Sequence, residues 1–129
     1  MTPASPTLRL ATASVLSLRI AYGLGLIVAP RKLAGGRWLG AGAREAASQV
    51  PLRGMGAREV GVHGAALLAA LRGDPVRPLL AISVLGDLGD IGAAALAREE
   101  LPDGSAAATA AVAGGSLVLT AALALLHDR

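Results

Sequence analysis

Six ionisable residues lie near the middles of three long apolar segments, and they are the part of this sequence that could do chemistry. They are Arg19 in the first segment, Arg58, Glu59 and His63 in the second, and Asp87 and Asp90 in the third. A charge in hydrocarbon costs about 2.5–3.5 kcal/mol, so such residues are normally paired and face the protein interior. The sequence therefore predicts one buried polar site that several helices share.

The spacing of these residues places them on common helix faces. Glu59 and His63 are four residues apart, and Asp87 and Asp90 are three apart, so the members of each pair are neighbours on a helix. At a rise of about 1.5 Å per residue, every group lies within roughly two turns of the middle of its segment. We therefore expect the six side chains to meet at one depth.

The charges of the six residues do not cancel. Two arginines supply +2 and three carboxylates supply −3, so the set carries −1 with His63 neutral and zero with His63 protonated. Because a site of low dielectric constant resists net charge, the sequence predicts that a carboxylate or His63 holds an additional proton. The predicted roles are acceptor for Glu59, Asp87 and Asp90, counter-charge for Arg19 and Arg58, and titrating group for His63.

Other residues are predicted to support this site. Tyr22, Ser116 and Thr120 are the candidates, and Ser116 and Thr120 belong to a stripe of small and hydroxyl residues on the last segment that would close the polar interior. The acidic residues and His63 could also hold a metal ion through oxygen and nitrogen ligands. Since two arginines would repel a metal, we expect neither a metal nor another cofactor.

Four apolar segments would have to position these residues, and each is close to the length of about 20 residues that crosses a bilayer. The predicted spans cover about residues 10–29, 52–71, 78–97 and 106–126, with a basic, glycine-rich connection at 30–50. The two later connections are short, which favours antiparallel neighbours. The predicted fold class is all-α, a polytopic transmembrane four-helix bundle in one domain, 1–129. The competing interpretation is a soluble, alanine-rich helical bundle, which the weakly hydrophobic second segment would allow.

The composition favours lipid over water as the surroundings. Hydrophobic residues make up 53% of the chain, and Tyr22 and Trp38 are its only aromatic residues, so the apolar content consists of small and aliphatic side chains. Such residues suit close helix contacts in a bilayer. The lack of cysteine excludes disulfides and thiolate chemistry. The high pI does not indicate nucleic-acid binding, because no basic face with interleaved aromatic residues is present.

The ends and connections carry weaker signals of topology. Arg19 interrupts the first apolar segment and no clear cleavage site follows, so we expect an uncleaved span rather than a cleaved signal peptide. Arg31, Lys32 and Arg37 follow this span, with Trp38 beside them. Basic clusters favour the cytoplasmic side, and tryptophan favours the headgroup level. We therefore expect a multi-pass protein in the plasma membrane of a bacterium, with the 30–50 connection inside.

Glycines at helical spacings predict close contacts between helices. They are Gly86, Gly89 and Gly92 in the third segment and Gly61 and Gly64 around His63. Small residues at such spacings let a neighbouring helix approach. The pair Gly23 and Gly25 lies inside a segment rather than after a strand, so it indicates helix packing and no dinucleotide-binding loop.

Three short stretches carry a resemblance to known proteins. The runs APRKLAGGRWLG, RGMGARE and DLGD resemble those of small uncharacterised four-helix membrane proteins common in actinobacteria. The resemblance implies a four-span fold in which Arg53, Arg58, Glu59 and the two aspartates form a shared polar core. It implies no activity.

Three classes of function are open at this point. The first is a membrane protein that binds or moves a proton or a small polar ligand, as a homo-oligomer because four spans give little room for a pathway. The second is a membrane-embedded enzyme that uses a carboxylate or His63 as acid or base on a lipophilic substrate. The third is a structural or accessory subunit whose charges only hold helices together. The sequence identifies no ligand or substrate.

Overall fold

The computed structural model describes residues 5–127, and all of the regular structure in this range is helical. Its α-helices are α1 (Pro6–Val28), α2 (Pro30–Ala34), α3 (Ala46–Arg72), α4 (Arg77–Leu96) and α5 (Ser105–Leu126), and a 3-10 helix covers Gly40–Arg44. The prediction of an all-α fold is confirmed. Helices α1, α4 and α5 are long and apolar enough to cross a membrane, whereas α3 is long enough but too polar.

The predicted connection at 30–50 is largely folded. Helix α3 begins at Ala46, six residues before the predicted start of the second span, and continues through Pro51. Pro51 is the sixth residue of α3 and has no N–H to donate to the carbonyl four residues before it, so the helix continues with one hydrogen bond fewer. The additional turns lengthen α3 toward α2.

Pro30 separates α1 from α2. The residue before it, Ala29, leaves the helical conformation, as the ring of the following proline requires, while its N–H still bonds to the carbonyl of Gly25. Pro30 then opens α2, where its missing N–H costs nothing. Pro30 and Ala34 are buried, and α2 is thereby fixed against the rest of the molecule.

The chain after α2 also packs against the helices. Trp38 is half-buried and contacts a cluster of buried residues that includes Leu26 and Leu52. The carbonyl of Trp38 accepts a hydrogen bond from the hydroxyl of Ser105 at the start of α5. The segment between α2 and α3 therefore covers one end of the helices instead of extending away from them.

The long helices pack in two pairs, α1 with α3 and α4 with α5, and fewer contacts join one pair to the other. Helices α1 and α3 each bury one narrow stripe of residues spaced alternately three and four apart. The stripe of α3 is Leu52, Gly56, Glu59, His63 and Ala66, and that of α1 is Thr12, Leu16, Gly23 and Leu26, with Arg19 in the position between Leu16 and Gly23. This spacing is the one at which helices pack side by side at small angles.

Two apolar clusters fill the ends of the core, and polar side chains lie between them. One cluster contains Leu16, Ala66, Val76, Leu80 and Leu123. The other contains Leu26, Ala34, Ala43 and Leu52. Arg19, Glu59 and His63, which the sequence predicts to meet in one site, lie between these clusters in the stripes of α1 and α3.

Candidate functional site

Two glycines bring α1 and α3 together beside the polar layer. A Cβ atom on Gly23 would lie 2.8 Å from the Cβ of Glu59 and 2.8 Å from the carbonyl oxygen of Gly56. A Cβ on Gly56 would lie 2.5 Å from the carbonyl oxygen of Gly23. Only glycine fits at this crossing. Gly23 lies one turn after Arg19 on α1, so the crossing brings Glu59 of α3 close to Arg19. The helix-packing interpretation of Gly23 is confirmed.

Arg19 is the centre of the polar layer and binds two carboxylates at once. Its Nε and Nη2 donate to the two oxygens of Glu59 at 3.0 and 3.1 Å. Its Nη1 and Nη2 donate to the two oxygens of Asp87, both at 2.8 Å. Paired contacts of this kind are among the strongest that side chains make. Arg19 thus connects α1 to α3 and to α4.

Arg58 and Asp90 form the outer edge of the same network. Arg58 Nη2 lies 3.0 Å from Asp90 Oδ2 and 3.6 Å from Glu59 Oε1, so Glu59 has an arginine on either side. The side chains of Glu59 and Asp87 are only 6% and 4% exposed, against 42% for Arg58 and 25% for Asp90. The network therefore runs from a partly open edge between α3 and α4 to an enclosed centre.

His63 lies beside this centre and makes a hydrogen bond with each ring nitrogen. Its Nδ1 donates to the backbone carbonyl of Glu59 at 2.7 Å and is 3.4 Å from the Oε2 atom of the same residue. Its Nε2 is 2.8 Å from the hydroxyl of Ser83. In the neutral ring Nε2 accepts from that hydroxyl, and in the charged ring it donates to it. Both protonation states of His63 are therefore hydrogen-bonded in the same geometry.

Helix α5 contributes hydroxyls but no charge, as its sequence predicts. Ser116 accepts a hydrogen bond from Arg19 Nη1. Thr120, one turn further on, is buried, and its hydroxyl has no hydrogen-bond partner among residues 5–127. Ala113 is buried on the same stripe. The predicted closing face is present, with only Ser116 bonded to the charged network.

The remaining predicted residues lie at the margin of the site or outside it. Tyr22 is partly exposed and lies three residues after Arg19 on α1. Arg53, which the resemblance places in the polar core, instead donates to the carbonyl of Ile27 at the end of α1. Its side chain does not join the network.

Most of the glycines predicted to form close contacts do not do so. A Cβ on Gly61, Gly64, Gly89 or Gly92 would meet no neighbouring atom within 4 Å. Gly86 differs, because the guanidinium group of Arg58 lies over it at 3.5 Å from the position of such an atom. The packing prediction was wrong for the other four positions, since they lie away from the stripes that face neighbouring helices.

Two hydrogen bonds of the histidines involve residues that the sequence did not single out. Ser83 is the partner of His63, and its position four residues before Asp87 on α4 was the available signal. His127 pairs with Thr12 at 2.9 Å between its Nε2 and the hydroxyl, and this contact joins the end of α5 to α1. No local pattern could have predicted it, because 115 residues separate the partners.

Metal binding finds no support in the geometry of the described part of the chain. Residues 5–127 contain no group of three or more acidic, histidine or cysteine side chains arranged to hold a metal ion. The guanidinium group of Arg19 lies between the two innermost carboxylates, where it supplies their counter-charge.

Comparisons with known proteins identify no relative. No protein-family model matches this chain, and no significant match was found to a curated protein or to a solved structure. The resemblance to actinobacterial membrane proteins therefore stays a prediction, and the function must be argued from the site.

Proposed function

We propose that this protein is a multi-pass membrane protein of the bacterial plasma membrane, and that the Arg19 network with His63 is a proton-binding site within the bilayer. The observation that carries the proposal is the geometry of His63, whose Nε2 faces a hydroxyl that can either donate or accept. The proton would serve the transport of protons or of a small polar ligand.

The distribution of polarity supports the membrane assignment. Large aliphatic side chains are exposed along α1, α4 and α5, among them Leu18, Leu85 and Val118, whereas Arg19, Asp87 and Ser116 face inward. A water-soluble protein rarely exposes continuous apolar surface of this extent. Apolar residues outside and charged residues inside are the arrangement that a bilayer favours.

Helix α3 is too polar to be recognised as a span by itself, but its position supports a fourth crossing. Its charged residue Glu59 and its neighbour His63 are buried against other helices, and α3 packs along α1. Neutralising contacts from Arg19 reduce the cost of carrying Glu59 into the membrane. We infer that α3 crosses the bilayer inside the assembled protein.

The net charge of the network supports proton binding. With His63 neutral, two arginines face three carboxylates, and the remaining negative charge has no counter-ion within the network. One proton on His63 would bring the total to zero. Neutralisation in a medium of low dielectric constant is the driving force for its uptake.

A direct test observes the imidazole of His63 in the folded protein. The chain has two histidines, so His127→Gln leaves His63 as the only imidazole for nitrogen NMR in micelles. We expect His63 to gain a proton as the pH falls while the protein stays folded. Asp87→Asn, which removes the excess negative charge, should reduce the protonated fraction at a given pH. The matched variant Asp90→Asn removes the same charge at a more exposed position and should have a smaller effect.

Two results would contradict the proposal. The first is a His63 that stays neutral at every pH at which the protein is folded. The second is proton flux into liposomes, followed with an enclosed pH-sensitive dye under an imposed membrane potential, that is the same for Asp87→Asn as for the unchanged protein. Ser83→Ala provides a second variant without a change of charge, and it should also lower the protonated fraction of His63.

A purely structural role is the second candidate, and one observation favours it. Arg19 makes contacts with two carboxylates and Ser116, which ties three helices to α1. A subunit that needed only to stay assembled would require no more than this. In that case Asp87→Asn would lower stability without changing the protonation of His63 or the proton flux.

A further inference from the structure

A basic pocket lies at the corner between α1 and α2, at the end of the molecule opposite to His127. Its lining consists of Val28, Ala29 and Pro30, where α1 meets α2, and of the polar residues Arg31, Lys32, Gln49 and Arg53. It has a volume of about 310 Å³. This is the lower end of the range of about 300–1,000 Å³ for small-molecule sites. The pocket therefore suits a small polar group rather than a large ligand.

The pocket concentrates positive charge that no acidic side chain within residues 5–127 neutralises. Arg31, Lys32 and Arg53 line it together with no acidic residue, and none of the three makes an ion pair with another residue in the range 5–127. Three like charges around one concave surface repel each other and attract an anion. Arginine and lysine are the side chains that bind phosphate most often.

The fold holds the Arg53 side chain and the backbone that carries the other two cations. Arg53 donates to the carbonyl of Ile27, which fixes its guanidinium group at the end of α1. Arg31 and Lys32 belong to α2, whose opposite face is buried through Pro30 and Ala34. Binding therefore loses less side-chain entropy at Arg53 than at a cation without such a contact.

The location of the pocket selects a lipid as the source of the anion. If α1 crosses the bilayer, its last turn lies where the hydrocarbon meets the headgroups. Directly before the pocket, Leu24 and Val28 are exposed on successive turns of α1. A phosphate bound by the three cations would have its acyl chains beside these two side chains. A soluble phosphate compound would make no use of them.

We propose that this basic pocket binds the phosphate of an anionic phospholipid headgroup. The proposal depends on the membrane placement of α1 but not on proton binding at His63. Each cation near a membrane surface strengthens the attraction of anionic lipid by roughly fivefold, and a fixed pocket directs that attraction to one lipid.

Native mass spectrometry of the full chain, released from neutral detergent, tests the proposal by counting bound lipids. We expect one phosphatidylglycerol to bind more tightly than phosphatidylcholine, which carries no net charge. The double variant Arg31→Gln/Lys32→Gln should weaken phosphatidylglycerol binding by roughly 25-fold. Both side chains are exposed, so this variant should fold. The matched control Arg37→Gln removes a charge from the same connection outside the pocket and should change binding less than about twofold.

The proposal fails if the double variant binds phosphatidylglycerol as tightly as the unchanged protein, or if Arg37→Gln weakens binding as much as the double variant does. Equal binding of phosphatidylcholine would also overturn it. Glycerol 3-phosphate separates the two sources of phosphate, because binding as tight as that of phosphatidylglycerol would identify a soluble ligand and exclude the lipid. None of these variants touches His63, so a failure here leaves the proton-binding proposal to its own test.

Discussion

Arg19 is the side chain that neutralises the two most deeply buried carboxylates of the polar network. It is the common partner of Glu59 and Asp87, both almost completely buried, and it contacts α3, α4 and α5 from α1. A buried carboxylate without a partner is far less stable than one that is paired. Arg19 is therefore one of the contacts that join the two helix pairs, and the one that neutralises both buried carboxylates.

The first prediction concerns this group. Arg19→Gln leaves Asp87 buried without its counter-charge and Glu59 with Arg58 alone, and it should destabilise the protein by about 3–5 kcal/mol. Arg58→Gln removes the same charge at a partly exposed position and should cost about 1 kcal/mol or less. Unfolding of both variants by denaturant in micelles measures the difference. Equal losses for the two variants would contradict the central role of Arg19.

The second prediction concerns His127, which lies just outside α5. Burial lowers the pKa of His127 below its ordinary value near 6.5. The unfolded chain therefore binds a proton on this residue more readily than the folded protein does. The stability that neutral His127 provides is complete above about pH 6.5 and is lost as the pH falls through the folded pKa. Its hydrogen bond with Thr12 is part of that stability.

His127→Gln isolates this contribution. We expect the melting temperature of the unchanged protein to fall more than that of the variant between about pH 8 and about pH 5. Thr12→Val removes the hydroxyl from the same contact, and it tests how much the hydrogen bond between Thr12 and His127 contributes to stability. If the melting temperature of His127→Gln falls between these two pH values as much as that of the unchanged protein, His127 does not contribute to the pH dependence.

At the scale of elements, the crossing of α1 and α3 determines the geometry of the site. Gly23 and Gly56 contact each other through backbone atoms, and Glu59 lies on the next turn. A side chain at either glycine would meet a carbonyl oxygen that cannot move without moving its helix. The hydrogen bonds between Arg19 and Glu59 are therefore sensitive to substitutions that touch neither residue.

The third prediction follows from this crossing. Gly56→Ala should destabilise the protein by about 1–3 kcal/mol through overpacking and should weaken the contact of Arg19 with Glu59. Gly61→Ala, on the open side of the same helix, should stabilise it by up to about 1 kcal/mol, because alanine favours helix more than glycine does. Unfolding in micelles distinguishes the two variants. Destabilisation by both would show that the effect is not one of packing at the crossing.

At the scale of the whole molecule, the number of membrane crossings decides whether the polar layer lies within the bilayer. The antiparallel arrangement places Trp38 and Ser105 in contact at one end, and the turn between α3 and α4 lies at the other. If α3 crosses, the two ends lie on opposite sides of the membrane. If only the three apolar helices cross, the connection before α3 and the turn after it lie on the same side of the membrane, and the turn between α4 and α5 lies on the other side.

The fourth prediction uses the lack of cysteine in the chain. Single variants Arg37→Cys, Asp74→Cys and Asp103→Cys would each carry one thiol for an impermeant reagent applied to sealed vesicles. We expect residues 37 and 103 to react from the same side and residue 74 from the other. Residues 74 and 37 reacting from the same side, with 103 opposite, would exclude the crossing of α3.

The predicted homo-oligomer stays a prediction, and chemical cross-linking of the same vesicles measures it.

Residue types and their spacing already predicted an all-α fold and the six members of the polar network. They did so because helical periodicity assigns a residue to a face, and because charged residues in apolar segments are stable only when their faces meet. Helix ends were predicted less well, as α3 shows, because a proline such as Pro51 is compatible with the first turns of a helix as well as with a connection.

Only the tertiary structure decided which partners bind each other. The sequence could not show that Arg19 holds Glu59 and Asp87 together, that His63 meets Ser83, or that Arg53 leaves the network for the basic pocket. These pairings depend on the rotation and depth of each helix against its neighbours. That geometry is fixed by contacts such as the one between Gly23 and Gly56, which join residues far apart in the chain.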